Sequence, residues 1–158
     1  MPYGIPNSQV LAFVEKNRDW IEKHLAELRS REEQGKTVSR LTMDEIRDLA
    51  AQARQYIPER VRYYASVMGV DYGRITIRNQ RSRWGSCSQK GNLNFNCLLM
   101  LAPPEVIDRV VVHELCHRRE MIHSSRFYEL VYKAMPDYDR WNRWLKENGG
   151  ALMQRMTG

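Results

Sequence analysis

VVVHELCHRREMIHSSRF, residues 110–127, places three of the chain's four histidines within eleven positions, two of them flanking the glutamate of HELCH. Residues four apart on a helix share a face about 6 Å along the axis, so His113 and His117 present nitrogens to one ion. Glu114 stands about 100° round the helix from His113, offset from the pair and placed to take a proton from water at a metal. That is the mechanical content of H-E-x-x-H spacing. A catalytic zinc takes three protein ligands and keeps a fourth position for water, so a third ligand is needed.

His123 is the expected third ligand. On an unbroken helix it would stand ten residues past His113 at about 280°, facing away from the ion, so the chain has to turn first. Ser124 and Ser125 are good N-caps for a new helix, which sets the expected reversal around Met121 to His123. The histidine spacing equals that of H-E-x-x-H-x-x-G-x-x-H, with Glu120 where that pattern has its turn-forming glycine. Glu120 shares a helical face with His113 and His117 and is the alternative ligand. An orienting role behind a ligand imidazole suits it better, since residues on one continuous helix rarely surround an ion on three sides of a tetrahedron. Cys116 points away from His113 and reads as a buried, inert thiol.

Working outward, Pro103 and Pro104 start this helix, and Glu105 and Asp108 lie early in it, as the helix dipole favours. Before it, RITIR (74–78) and LNFNC (93–97) alternate apolar and polar residues and predict two short strands. QRSRWGSCSQKGN (80–92), rich in Gly and Ser, is a loop between them with room for a third short strand. After it, helical segments at about 125–135 and 137–148 are separated by Pro136 and are expected to end at Gly149 and Gly150. Upstream, Thr42 and Glu45 have capping-box spacing, and an apolar face from Ile46 to Met68 runs to Gly69, with Pro58 expected to kink or divide the helix. A further amphipathic helix is expected from Asn7 or Ser8 to about Leu28, followed by a charged connector, 30–40. The expected organisation is a helix and connector at 1–40, one catalytic domain at 41–150 and a tail at 151–158.

A chain of 158 residues is one domain's worth, able to bury a core without disulfides. No apolar run approaches the roughly 18 residues of a membrane span, and MPYGIPNSQV lacks the basic start and apolar stretch of a signal peptide. Cys87, Cys97 and Cys116 form no C-x-x-C pair, which argues against a disulfide framework or a zinc knuckle and fits reduced thiols in the cytoplasm. The net charge of +6 favours an anionic partner, nucleic acid, nucleotide or an acidic protein surface, or else reflects a well-solvated basic surface.

SRWGSCS (82–88), GNLNFNCLLMLAP (91–103), VIDRVVVHELCH (106–117) and HSSRFY (123–128), in that order and spacing, closely resemble the YgjP-like metallopeptidases, relatives of the SprT-like zincins. The resemblance spans about residues 5–150. It implies an α+β zincin-like domain, a small twisted sheet packed on the metal-bearing helix with N-terminal and C-terminal helices. It further implies His113, His117 and His123 as zinc ligands and Glu114 as base. Members usually begin with a further β-rich segment, near whose end this chain opens, and often carry Asn where Ile122 stands.

The expected activity is zinc-dependent hydrolysis of peptide bonds with one catalytic Zn2+, Glu114 taking a proton from water and returning it to the leaving amine. Arg81, Arg83 and Tyr128 are the candidate donors to the developing oxyanion, and Trp84 is expected to pack on the core. A peptide is expected to add to the sheet edge near 93–97, with Asn94 and Asn96 facing cleft or solvent. Two rivals stand beside this. Arg78, Arg81, Arg83, Arg118 and Arg119 converging on phosphates would make a metal-dependent nucleotide pyrophosphohydrolase. A structural zinc would make a nucleic-acid-associated binding module without catalysis, although no fourth ligand is evident to close such a site.

Overall fold

The computed structural model describes residues 40–80 and 82–156. The expected N-terminal helix, nearly all of the connector, and Arg81 lie outside the described residues.

Thr42 starts helix α1 (Met43–Met68): its hydroxyl accepts from the Glu45 amide at 3.1 Å, and its own amide donates to the Glu45 carboxylate at 3.0 Å. Gly69 ends it with φ at 66°, a left-handed conformation that glycine adopts without a Cβ penalty. Pro58 lies inside α1 without dividing it, which leaves the kink as the other outcome expected from the sequence. Proline removes one helical hydrogen bond, whereas buried Ala53, Tyr56, Ile57, Val61 and Ala65 pin the helix to the core on both sides of it.

Strands β1 (Ile75–Arg78), β2 (Gly85–Cys87) and β3 (Leu93–Asn96) form a sheet in the order β1-β3-β2. β3 is central. It pairs parallel with β1, Ile75 facing Leu93, and antiparallel with β2, Gly85 facing Phe95. Residues 93–96 are therefore not the free edge expected from the sequence; the edges are β1 and β2. The two asparagines of β3 are also committed. Asn94 accepts from Arg78 Nε at 2.9 Å and donates to Ser86 Oγ at 3.2 Å, tying all three strands together. Asn96 is 0% exposed, donates to the carbonyls of Gln80 and Arg83 at 2.9 Å each, and accepts from the Leu98 amide at 3.0 Å. It faces neither cleft nor solvent. Its buried amide organises the loop before β2 and caps a 3-10 helix, Cys97–Leu101, every residue of which is buried.

Helix α2 (Pro104–Cys116) follows, with proline at its first position, where no amide is needed. It runs between two apolar clusters, which explains its VVV run: Val110 and Val111 join the main core with α1, the sheet and the 3-10 helix, whereas Val112 and Cys116 join Phe127, Val131, Met135 and Tyr138. A bidentate ion pair, Arg60 to Asp108 at 2.8 and 2.9 Å, locks α1 to α2.

Helices α3 (Ser125–Ala134) and α4 (Tyr138–Gln154) complete the fold. Gly149 and Gly150 do not end α4. A Cβ on Gly149 would lie 3.2 Å from Trp84 Cζ2, so the glycine is there to let the indole lie against the helix. Trp84 packs on the core as expected. Beyond the glycines, Leu152 is fully buried and the Arg155 carbonyl accepts from the Leu41 amide at 3.0 Å, which holds α4 to its end.

Candidate metal centre

Helix α2 stops at Cys116, and His117 keeps helical angles (φ −65°, ψ −13°) as its C-cap. The amides of Arg118 and Arg119 then bond three residues back, to Leu115 and Cys116, which tightens the last turn and throws the chain off the axis. The reversal thus begins earlier than the expected Met121 to His123. Among the described residues no non-glycine residue has positive φ, so Glu120 needs no glycine-like conformation where the related pattern has one. Ser124 caps α3 by accepting from the Phe127 amide at 3.3 Å and so brings His123 back over α2.

The three imidazoles form a nearly equilateral triangle. Ring centroids lie 5.1 Å apart for His113 and His117, and 4.9 Å for each pair involving His123. Fully buried Phe127 sits beneath all three, at 5.0, 4.7 and 4.8 Å. One nitrogen from each histidine lies within 4.8 Å of the other two, and Nε2 of His117 and His123 are 3.1 Å apart. Tetrahedral zinc at about 2.0–2.1 Å from each nitrogen would space them roughly 3.3–3.4 Å apart, a spacing the His117–His123 pair already approaches and to which the wider separations, within 4.8 Å, would have to close.

Hydrogen bonds select the ligand atoms. His117 Nδ1 lies 3.0 Å from the Glu120 carbonyl, which can only accept, so Nδ1 carries the proton and Nε2 keeps its lone pair. His113 Nδ1 lies 2.9 Å from the Tyr138 hydroxyl. Burial pushes the His113 pKa down to about 3, helped by Arg109, His117 and His123, and burial also lowers that of His117. Both are held in the neutral form that binds metal.

Glu114, 6% exposed, is pushed up to about 7 by burial against the opposing pull of Arg109 and Arg83. Edge strand β2 passes beside it: a Cβ on Gly85 would be 3.2 Å from Glu114 Cγ. Arg83 is exposed, and Tyr128 lies on α3 with its ring 6.4 Å from that of His123. Glu120 reaches His117 through its carbonyl; its carboxylate instead faces Arg126 at 3.9 Å. The side chains of the two asparagines of β3 are spent in the sheet and loop.

Of the arginines proposed to gather phosphates, Arg78, Arg118 and Arg119 have other partners. Arg118 bonds to Asp71 and to the Gln89 carbonyl, Arg119 to the last carbonyls of α1, and Arg78 to Asn94. Three of the five are thereby occupied in holding the fold. Sequence reasoning passed over Arg109, one turn before His113; Phe127, four residues after His123; and Tyr138, which no spacing rule connects to the histidines.

An α+β domain with a small sheet, its antiparallel edge strand beside a helix that ends in two histidines, and a third histidine after the turn define a zincin-like metallopeptidase fold. Two solved structures share it. The metallopeptidase zymogen abylysin of Pyrococcus abyssi superposes with a TM-score of 0.52 at 19% identity over 58% of this chain and 93% of its own. The metallopeptidase zymogen jannalysin of Methanocaldococcus jannaschii gives a TM-score of 0.52 at 16% identity over 58% of this chain and 95% of its own. No curated protein sequence gives a significant match. The chain belongs to the YgjP-like family, whose metallopeptidase domain matches residues 40–148. No helix among the described residues is long and apolar enough to cross a membrane.

Proposed function

We propose that this protein is a zinc-dependent peptidase in which His113, His117 and His123 hold one Zn2+ and Glu114 is the general base. The observation that carries the reading is the triangle of imidazoles, its ligand nitrogens within 4.8 Å, beside a carboxyl buried to 6% exposure. When bound, the ion polarises a carbonyl and acidifies water.

The chain's own residues supply the rest. With a proton affinity near neutrality, Glu114 takes a proton from water and gives it to the leaving amine without a large penalty in either direction. Strand β2 pairs with β3 on one side, and its other side offers backbone groups to an extended peptide. Because Gly85 abuts Glu114, a peptide along β2 passes directly over the base. Arg83, whose charge acts on Glu114, and Tyr128, whose ring lies 6.4 Å from that of His123, are the candidate oxyanion donors, together with Arg81, two residues before Arg83 in sequence. The three free thiols suit a reducing cytoplasm.

Casein-like protein and nucleoside triphosphates, each supplied with zinc, make the discriminating assay. Peptide cleavage abolished by a chelator and by Glu114→Ala is the expected result. Phosphate release that depends on Glu114, with no peptide cleavage, would overturn the reading in favour of a nucleotide pyrophosphohydrolase.

A further inference from the structure

The C-terminal helix also reaches the imidazoles. Tyr138, the first residue of α4, is 2% exposed, and its hydroxyl lies 2.9 Å from His113 Nδ1. The two rings are nearly parallel, 13° apart at 6.3 Å. On the ring of Tyr138 sits the Arg109 guanidinium, its Cζ 4.9 Å from the centroid. Arg109 in turn donates from Nη2 to Asn142 Oδ1 at 2.8 Å, one turn further along α4. The arginine is an expensive residue to keep there: its Nε is buried with no hydrogen-bond partner among the described residues. A group held at such a cost calls for an explanation other than stability.

We infer that Tyr138 is a positioning residue for the metal ligand His113, and that Arg109 and Asn142 form the brace that keeps its ring in register. The inference rests on the zinc centre proposed above. The Tyr138 hydroxyl accepts the Nδ1 proton of His113, which leaves Nε2 with its lone pair for the ion and fixes the rotation of the imidazole. Phenylalanine would fill the same space among Val112, Cys116, Phe127, Val131 and Met135, so the hydroxyl's distinct contribution is the contact with His113. His117 is served in the same way by the Glu120 carbonyl. Both acceptors are neutral. A carboxylate in either place would raise the basicity of the imidazole, so neutral partners leave a bound ion more electrophilic.

The test is the zinc dissociation constant of the full chain, measured by competition with a chromophoric chelator, with the visible spectrum of the Co2+-substituted protein as a second readout. Tyr138→Phe is expected to weaken zinc binding by roughly 10–100-fold and to shift the Co2+ bands, with the metal-free protein still folding cooperatively. Arg109→Met is expected to weaken binding less, and Arg109→Lys to recover part of that loss, because an ammonium also sits favourably over an aromatic face. Wild-type affinity and an unchanged Co2+ spectrum in Tyr138→Phe would overturn the inference and leave the zinc centre standing. Failure of the wild type to bind zinc would remove the centre itself.

Discussion

Glu114→Gln separates what the carboxyl does for catalysis from what it costs the fold. Burial raises its pKa from 4.5 to about 7, so the folded chain prefers the protonated acid. That preference stabilises fully below pH 4.5 and is lost as pH rises through about 7. Above pH 7 the metal-free protein carries a buried ionised carboxylate at a cost of at most about 3 kcal/mol. Glutamine has nearly the shape of the neutral acid and does not titrate. The metal-free variant should therefore exceed the metal-free wild type by up to about 3 kcal/mol at pH 8, roughly 6–12 °C in melting temperature. At pH 5 the advantage should fall below about 1 kcal/mol. His113 titrates the other way, but it is present in both proteins and cancels. With zinc restored, peptidase activity of the variant should drop by about 10²–10⁴-fold. Thermal unfolding by circular dichroism in excess chelator at the two pH values is the assay. Equal gains at both, or none at pH 8, would refute the reasoning.

Gly85→Ala would set a methyl group 2.9 Å from Val110 Cγ1 and 3.2 Å from Glu114 Cγ, so it should cost about 1–3 kcal/mol in a denaturant titration and roughly tenfold to a hundredfold in kcat/KM. Asp108→Ala strands buried Arg60 and should cost about 3–5 kcal/mol, whereas the double change Arg60→Met with Asp108→Leu should recover most of it, as chemical denaturation would show. Burial pushes the thiols of Cys97 and Cys116 up to about 11 and about 12, so mass spectrometry after iodoacetamide at pH 8 should find native protein modified at half-buried Cys87 alone and denatured protein at all three.

The metal-binding pair and its glutamate were legible because helical geometry converts H-E-x-x-H spacing directly into a shared face. The capping box at Thr42 and the stop at Gly69 were equally plain, since each depends only on local chemistry. What the sequence concealed was tertiary. Gly149 reads as a helix stop until Trp84, 65 positions earlier, is seen lying on it. Asn94 and Asn96 look like surface polar residues of an alternating strand, and only the sheet order reveals that β3 is central and that Asn96 is a buried cap. CLLML has no period to identify it and becomes a 3-10 helix because both ends are fixed, by the Asn96 cap and by Pro103. Tyr138 and Arg109 carry no motif, and their relation to His113 exists only once α4 folds back along α2.

The most direct measurement is metal content: zinc per chain in the purified protein, beside His123→Ala and Glu120→Ala. One equivalent in the wild type, lost in His123→Ala and kept in Glu120→Ala, is the predicted result. No zinc in the wild type, or zinc that survives the loss of His123, would contradict it.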